Sequence, residues 1–295
     1  MLLACMLPLL CAGRSYGVHG HGHDGGAAPP PPTCAMGLNS RDFGAVGDGA
    51  HDDTAALQAA VDEAQRTGRR LLVPAGDYAM NGTLHVRCYS SSLDPKYPIA
   101  HPAIHPLRMT GEGTGQTRFI GVGPVQNGDD GSAVLRMDSG QPTDGVNFTQ
   151  RHYQHSNYHH LSHFTVVSQP EPGSPGFSKV NGKRDYGILA PAITRTTFEH
   201  IEVVRGRKAG IWASGWFIRI DSSAFLGNGV GIYLANEVNG IVISRCTIED
   251  NFEPGVGIVV VQGENVAIEN CGIEGNAGPA ILASSITGAP IILCV

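Results

Sequence analysis

Apolar residues between positions 42 and 78 follow first the period of a helix and then that of a strand. Four of them recur at i, i+3, i+4 and i+7 and form one stripe: Leu57, Ala60, Val61 and Ala64. This stripe predicts an amphipathic helix over residues 53–65 that Gly68 ends, with Asp52 and Asp53 as candidate caps of its N-terminus. A short buried strand is expected at residues 71–73, directly before Pro74-Ala75-Gly76.

A different apolar pattern begins near residue 158 and repeats five times. The anchors of the five segments are Leu161, Phe198, Ile220, Ile243 and Ile268. Three residues further on stand Phe164, Ile201, Ser223, Cys246 and Cys271, and five further on stand Val166, Val203, Phe225, Ile248 and Ile273. The last three segments carry Asn228, Asn251 and Asn276. Five short apolar pairs complete the pattern: Gly187-Ile188, Gly210-Ile211, Gly231-Ile232, Gly257-Ile258 and Ala280-Ile281.

The anchor spacings decide what this repeat can form. They are 37, 22, 23 and 25 residues (198−161, 220−198, 243−220 and 268−243), and the longest includes an insertion at about 168–184. Three short strands every 22–25 residues predict the coils of a right-handed parallel β-helix, with the anchors inside and their neighbours outside. Each Asn is expected to take left-handed backbone geometry at a corner and to bond the Asn of the adjacent coil. Cys246 and Cys271 are expected to stack inside as small apolar groups rather than to form a disulfide.

The first pattern also carries a family resemblance. The matching residues are Asp42-Phe43-Gly44-Ala45, Gly47-Asp48-Gly49, Asp52-Asp53-Thr54, Ala56-Leu57-Gln58 and Val73-Pro74-Ala75-Gly76-Asp77-Tyr78. This run resembles the entry segment of the pectate-lyase-like superfamily, in particular its rhamnogalacturonase/epimerase-type domain. The resemblance implies an all-β, single-stranded right-handed parallel β-helix with an N-terminal capping α-helix. It does not choose the reaction, because that superfamily holds hydrolases, lyases, epimerases and binding proteins.

A helix followed by a strand is also how a doubly wound α/β domain begins, so that fold is the alternative. The absence of further helix-period segments after residue 78 favours the β-helix. Within a β-helix the first coil exposes apolar side chains and unpaired strand groups, which the amphipathic helix is expected to cover.

Composition limits the remaining possibilities. The 40 Gly and 19 Pro of the 295 residues favour many turns, and a net charge of −6 argues against a nucleic-acid partner. Residues 1–12 resemble a signal peptide, residues 13–37 form a Gly-, His- and Pro-rich linker, and residues 38–295 are expected to form the β-helix, truncated in mid-coil at its C-terminus. The protein is therefore expected to be secreted, to lack a membrane-spanning segment and to be a monomer.

Candidate chemistry lies just before the Gly-Ile strands. In polygalacturonase-like relatives acidic residues precede this strand, and here only Asp185 of Arg184-Asp185-Tyr186-Gly187-Ile188 matches. The next coil has Arg205, Arg207 and Lys208 where a paired Asp would be expected, which puts inverting hydrolysis in doubt. A cation beside an acid suits elimination across a uronic acid, in which a base removes the proton α to the carboxylate and cations neutralise the developing enolate.

These considerations assign roles to seven residues. The candidate catalytic residues are Asp185, Arg207 and Lys208, and the candidate substrate-binding residues are Arg184, Arg205, Trp212 and Tyr233. Lys208 or Arg207 would be base or clamp, and Asp185 would orient one of them or help bind Ca²⁺, although no metal-grade acidic cluster accompanies it. Trp212 and Tyr233 share an outward column and offer rings for stacking on sugars. A solvated corner with ordinary ion pairs is the competing interpretation.

Two further polar groups are open to either interpretation. Glu199, Asp221, Ser244 and Glu269 form a second outward column, which suits a glycosidase carboxylate pair or, more simply, a solvated ladder. His152, His155, His159, His160 and His163 form a run that suits a metal, a cleft wall or plain surface.

The function hypotheses are therefore three. The first is an enzyme acting on an acidic, uronate-containing polysaccharide, as a lyase or epimerase before a polygalacturonase-like hydrolase. The second is a non-catalytic glycan-binding protein, and the third is an inactive relative.

Overall fold

A computed structural model describes residues 37–88, 105–122, 133–138, 158–170, 184–236, 238–286 and 292–294. It is a right-handed parallel β-helix in which the described strands pair in parallel and form three faces, called sheets A, B and C. The predicted fold class and β-helix are confirmed. The predicted signal peptide, residues 1–12, and most of the predicted linker lie outside the described residues.

The strands are numbered along the chain. Sheet A contains β1 (Leu38–Asn39), β3 (Leu71–Val73), β6 (Arg108–Gly111), β9 (His160–Val167), β11 (Thr197–Val204), β13 (Arg219–Asp221), β16 (Val238–Ser244), β19 (Gly263–Glu269) and β22 (Ile292–Cys294). Strands β9 and β11 continue round a corner into sheet B, which also contains β2 (Asp48–Asp52), β4 (Gly76–Met80), β7 (Thr117–Gly121), β14 (Ala224–Leu226), β17 (Thr247–Glu249) and β20 (Gly272–Glu274). Sheet C contains β5 (Leu84–Arg87), β8 (Ala133–Asp138), β10 (Tyr186–Thr194), β12 (Ala209–Trp216), β15 (Val230–Leu234), β18 (Val256–Val261) and β21 (Ile281–Ser284).

The repeating apolar residues form stacks in the interior. The five anchors lie in register across parallel strands, and all are at most 2% exposed: Leu161, Phe198, Ile220, Ile243 and Ile268. The isoleucines of sheet C stack in the same way: Ile188, Ile211, Ile232, Ile258 and Ile281. Cys246 and Cys271 are buried and unbridged, as expected. The predicted coil repeat is therefore confirmed.

A ladder of asparagines lines the corner between sheets B and C. Oδ1 of Asn251 accepts a hydrogen bond from the backbone N–H of Asn228 at 2.9 Å, and Oδ1 of Asn276 accepts from the backbone N–H of Asn251 at 3.2 Å. The prediction that these asparagines take left-handed geometry is wrong, because the preceding residues take it: Gly227, Asp250 and Gly275, with φ of 63°, 52° and 65°. Their turn leaves each Asn side chain pointing inward, where it reaches the backbone of the adjacent coil.

The predicted helix, α1, spans Thr54–Thr67 and ends at Gly68, which has a φ of 71°. All four residues of the apolar stripe are buried. Of the two predicted caps, Asp52 accepts from the N–H of Thr54 at 3.1 Å, whereas Asp53 makes no side-chain cap. The prediction for Asp53 is wrong because its carboxylate is used by the preceding loop, where it accepts from the N–H groups of Val46 at 2.6 Å and Gly47 at 3.0 Å.

Two glutamines of α1 pair with the backbone of β5. The side-chain amide of Gln58 donates to the carbonyl of His85 at 2.9 Å and accepts from its N–H at 2.8 Å. Gln65 does the same with Arg87, at 2.6 Å and 3.0 Å. These amides occupy the hydrogen-bonding positions that a neighbouring strand would fill. That the helix serves as a protective cap for the first coil stays a prediction.

No helix in the described part of the chain is long and apolar enough to cross a membrane.

Candidate functional site

The residues singled out near Gly187 meet at one corner between sheets B and C. The turn formed by residues 205–208 connects β11 to β12 and lies on Arg184 and Asp185 of the preceding coil. The N–H of Arg207 donates to the carbonyl of Arg184 at 2.9 Å, and the N–H of Lys208 donates to the carbonyl of Asp185 at 2.8 Å. On the other side, Oδ1 of Asn228 accepts from the N–H of Gly206 at 2.8 Å. Hydrogen bonds from both neighbouring coils therefore fix this turn, which we call the cationic corner.

Asp185 holds the two cations of this corner. Its side chain is 10% exposed, its Oδ2 lies 2.9 Å from Nζ of Lys208, and its Oδ1 contacts the Arg207 guanidinium. The side chains of Arg207 and Lys208 are each 53% exposed, so each keeps a solvent-facing side. The hydrogen bond to Asp185 raises the pKa of Lys208, and this amine is therefore an ammonium group at neutral pH.

The cationic corner presents its charges to two different faces. Arg207 lines a groove along sheet B together with Arg205. Lys208 lies over sheet C, with Nζ 5.8 Å from the ring centre of Tyr186. Although the sequence assigns all of these residues to one substrate, the structure places Arg205 and Arg207 on one side of the corner and Lys208 on the other.

The groove along sheet B has a volume of about 800 Å³. Its lining includes an aliphatic column in register, Ile120, Val167, Val204 and Leu226, and a polar column in register, Asp77, Arg118, Thr165 and Glu202. Arg118 donates from Nε and Nη2 to the two oxygens of Asp77 at 2.6 Å and 2.5 Å. The hydroxyl of Thr165 donates to Oε2 of Glu202 at 2.8 Å. This groove can hold an extended chain along an apolar strip with a polar border.

Sheet C presents an aromatic face. Trp212 and Tyr233 lie in register on β12 and β15, and both are half-buried, as the outward column predicted. Tyr186 and Tyr233 pack against a small outer cluster of apolar residues: Ala209, Val230, Val256 and Val259. Burial raises the pKa of Tyr186, so its phenol is protonated at neutral pH. The sequence analysis did not include Tyr186 among the candidate site residues, although its position directly after Asp185 could have indicated it.

Arg184, a candidate for substrate binding, is turned away from both faces. It is 2% exposed, and its Nη2 donates to the carbonyls of Met80, Asn81 and Gly82 at 3.2, 2.9 and 3.2 Å. Nη1 donates to the carbonyl of Ala133 at 3.3 Å. Burial lowers the pKa of this guanidinium. These contacts support a packing role that joins the cationic corner to earlier coils, and the predicted role in binding stays untested.

The second outward column lies on sheet A, away from the cationic corner. Two of its carboxylates have partners: Oε2 of Glu199 lies 3.0 Å from Nε2 of His160, and Oδ1 of Asp221 accepts from the hydroxyl of Ser244 at 2.6 Å. Although burial alone would raise the pKa of Asp221, the bond from Ser244 and the contact with Arg245 lower it. This arrangement is typical of a polar ladder on the surface of a β-helix.

The described histidines of the run lie in different surroundings. His152 and His155 lie outside the described residues. His159 is buried, accepts from the N–H of Leu107 at 2.8 Å through Nδ1, and has a pKa lowered to about 4 by burial. His159 is therefore neutral and structural, and His163 instead lies with its ring centre 4.9 Å from that of His200.

A calcium site at Asp185 does not fit the surrounding residues. Both of its oxygens contact cationic side chains, and these would repel a divalent ion. Within the described ranges, no group of three or more His, Cys, Asp or Glu residues is placed to hold a metal ion.

The fold and this site place the chain in a class of protein: parallel β-helix proteins, here with a long groove and with the cationic corner beside an aromatic face. The chain belongs to the family described as rhamnogalacturonase A/epimerase, pectate lyase-like, whose model matches residues 37–281. The resemblance read from the first apolar pattern is thereby confirmed.

Two similar curated proteins come from Azotobacter vinelandii. The chain is 54% identical to mannuronan C5-epimerase AlgE3 over 48 residues, which are 16% of this chain and 3% of the epimerase. It is 48% identical to alginate lyase 7 over 48 residues, which are 16% of this chain and 6% of the lyase. The chain thus matches only a small part of the length of these relatives.

Among solved structures, ORF18 of Geobacillus virus E2 is similar in fold. Its TM-score is 0.59 at 16% sequence identity, and the match covers 85% of this chain and 46% of the viral chain.

Proposed function

We propose that this protein acts on an acidic, uronate-containing polysaccharide as a lyase or epimerase. The similarity to a mannuronan epimerase and to an alginate lyase supports this class and makes alginate the first polymer to test. The proposal places the protein outside the cell as a monomer, and the apolar residues 1–12 support export.

One observation carries the proposal: the nearly buried Asp185 holds two half-exposed cations, Arg207 and Lys208, in fixed positions. Cations held in this way need little reorganisation when negative charge develops beside them. A uronate offers such a charge twice, as its carboxylate and as the enolate that forms when the adjacent proton leaves. A neutral sugar offers neither.

We propose a narrower role for Lys208 than the sequence alone suggests. Its raised pKa and its contact with Asp185 support a role as a clamp for the substrate carboxylate rather than as the base. In elimination, a base removes the proton α to the carboxylate, and the electron pair of the broken C–H bond forms the new double bond. The bond between the β carbon and the glycosidic oxygen breaks, and that oxygen leaves and takes up a proton. The protonated phenol of Tyr186, beside Lys208, is the candidate donor of that second proton. In epimerisation the same enolate is reprotonated from the opposite side.

The test measures turnover of alginate and polygalacturonate, with a neutral glucan as control. A lyase creates an unsaturated product that absorbs in the ultraviolet, an epimerase changes the uronate composition seen by NMR, and a hydrolase releases reducing ends without that absorbance. Lys208→Gln and Arg207→Gln are expected to lower kcat/KM at least tenfold. The matched control is Arg219→Gln, which removes one positive charge at an exposed position on sheet A and is expected to leave kcat/KM unchanged. Wild-type protein that neither binds nor converts any uronate polymer would refute the proposal.

A non-catalytic glycan-binding protein is the second candidate. It is favoured by the pairing of Asp185, since both oxygens of this carboxylate contact cations and neither is placed as a base. Binding of uronate polymers that depends on Lys208, without turnover of any polymer, would decide for this candidate.

A further inference from the structure

A ladder of exposed side chains follows the corner between sheets C and A, at the opposite end of the sheet C strands from Lys208. Tyr158, Arg195 and Phe217 occupy equivalent places in three successive coils, each just before its sheet A strand. The guanidinium carbon of Arg195 lies 5.4 Å from the ring centre of Tyr158 and 5.4 Å from that of Phe217. Tyr158 and Phe217 are each 54% exposed as whole residues.

In the next coil the equivalent residue is a glycine, which has no side chain. Gly240 follows Phe217 in the ladder, and a Cβ at this position would lie 2.8 Å from Cδ1 of the Phe217 ring. The ring therefore lies across the backbone of the adjacent coil, in the space that a side chain at 240 would occupy. This packing fixes the ring while more than half of the residue faces solvent.

The backbone at this corner favours different residues from those present. Tyr158, Arg195 and Phe217 have φ of 49°, 49° and 56°, in the left-handed region that bulky residues avoid. The two following coils make the same turn with Gly240 and Asn265, which tolerate it. Large aromatic and cationic side chains are thus held where small residues would fold more easily, which is a pattern found at binding sites.

We infer that Tyr158, Arg195 and Phe217 form a second docking position for the acidic polysaccharide. The rings supply faces for sugars and the guanidinium supplies charge for a uronate carboxylate. This inference rests on the proposed function for the class of ligand.

The spacing determines which ligands can use both positions. Lys208 and Phe217 lie immediately before and after β12, nine residues apart, so they are at most about 30 Å from each other. Trp212 lies between them on the outward face. A long polymer can contact both ends of this strand, and the inference expects a uronate trisaccharide to occupy one end at a time. Simultaneous contact raises the affinity for the polymer through effective concentration.

The experiment compares polymer and trisaccharide binding by the full-length protein, using affinity electrophoresis in alginate and calorimetry with a uronate trisaccharide. Phe217→Gly removes the ring and relieves the left-handed backbone, so its melting temperature is expected to equal or exceed that of wild type. Its affinity for the polymer is expected to fall roughly tenfold, and more than any change for the trisaccharide. Arg195→Gln is expected to weaken polymer binding and to reduce the salt dependence of that binding. Phe217→Tyr keeps an aromatic ring and is expected to bind the polymer like wild type.

Leu72→Ala, at another exposed apolar residue on the outer face of sheet A, is the matched control and is expected to bind like wild type. Unchanged polymer affinity in Phe217→Gly, together with a loss in Lys208→Gln, would overturn the second docking position alone. Failure of wild-type protein to bind any uronate polymer would overturn the proposed function, and this inference with it.

Discussion

The ammonium nitrogen of Lys208 lies 2.9 Å from Oδ2 of Asp185. The lysine is half exposed and the aspartate is not, so the ion pair is anchored from inside the fold. Anchoring turns a flexible side chain into a charge at a fixed position, which is what recognition of a carboxylate on a sugar requires.

Replacing Asp185 by Asn should separate positioning from charge. The variant makes the corner more positive by one unit, so attraction by net charge alone predicts tighter uronate binding. We expect weaker binding, by about fivefold or more, because Arg207 and Lys208 lose the group that orients them. Calorimetry with a uronate oligosaccharide at two salt concentrations measures the difference. Tighter binding by the variant would show that orientation contributes nothing.

Arg184→Met tests whether the buried arginine binds substrate or only supports the fold. Its loss leaves carbonyl groups near Met80 and Ala133 without a donor, and should lower the free energy of unfolding by about 1–3 kcal/mol. Uronate binding by the folded fraction should be retained, because the guanidinium does not reach either face. A variant of normal stability that no longer binds uronate would instead support the sequence-based assignment.

The pH dependence of stability should show the contribution of Asp221. The pKa of its carboxyl is lower in the folded protein than the usual value of 3.8, so its stabilising effect is complete above that value and disappears as the pH falls through the folded pKa. Wild type should therefore lose more stability than Asp221→Asn between about pH 5 and about pH 2. Denaturant unfolding of both proteins across this range provides the measurement, and parallel curves would contradict the assignment.

A charge in the anchor stack should be severely destabilising. Ile243 is fully buried between Ile220 and Ile268 of the adjacent coils. Ile243→Asp places a carboxylate there without a partner and should cost about 3–5 kcal/mol or more. Ile243→Val is the control and should cost about 1 kcal/mol. Near-normal thermal stability of the Asp variant would argue against the stacked interior.

The protective role predicted for α1 can be tested without removing the helix. Leu57→Ser/Val61→Ser removes two fully buried side chains from the stripe and should expose the first coil. We expect a lower melting temperature and self-association detected by light scattering. The matched control is Ala55→Ser/Ala59→Ser, which changes the exposed side of the same helix. If the first variant stays monomeric and soluble, the helix is not a protective cap.

The fold could be predicted because its information is local and repeated. Ile220 and Ile243 are 23 residues apart and in register, so one spacing predicts both the coil and its pairing. The same sequence does not say which of Gly227 and Asn228 makes the turn, because both residue types tolerate it. Only the inward bond of the Asn side chain decides the matter.

The candidate site was less predictable because its geometry depends on distant contacts. Arg184 was assigned to the surface by its neighbours in sequence, yet its acceptors lie about 100 residues earlier, at Met80 and Asn81. Arg207 and Lys208 are adjacent in sequence and lie over two different faces that meet at the corner, since successive residues of a turn diverge. Tyr158, Arg195 and Phe217 share no residue type, so no sequence repeat marks their ladder.

The asparagine ladder makes successive coils structurally equivalent at the corner between sheets B and C. Each Asn of the ladder donates its backbone N–H to the Asn side chain of the next coil, and the same type of bond is repeated one coil further on. These hydrogen bonds therefore stabilise contacts between adjacent coils only. The interval of 23 residues from Ile220 to Ile243 could then be duplicated or excised, with the remaining coils meeting in the same register. The length of the molecule, and with it the reach of its groove, is therefore adjustable in steps of one coil, and an engineer or a recombining gene could use those steps.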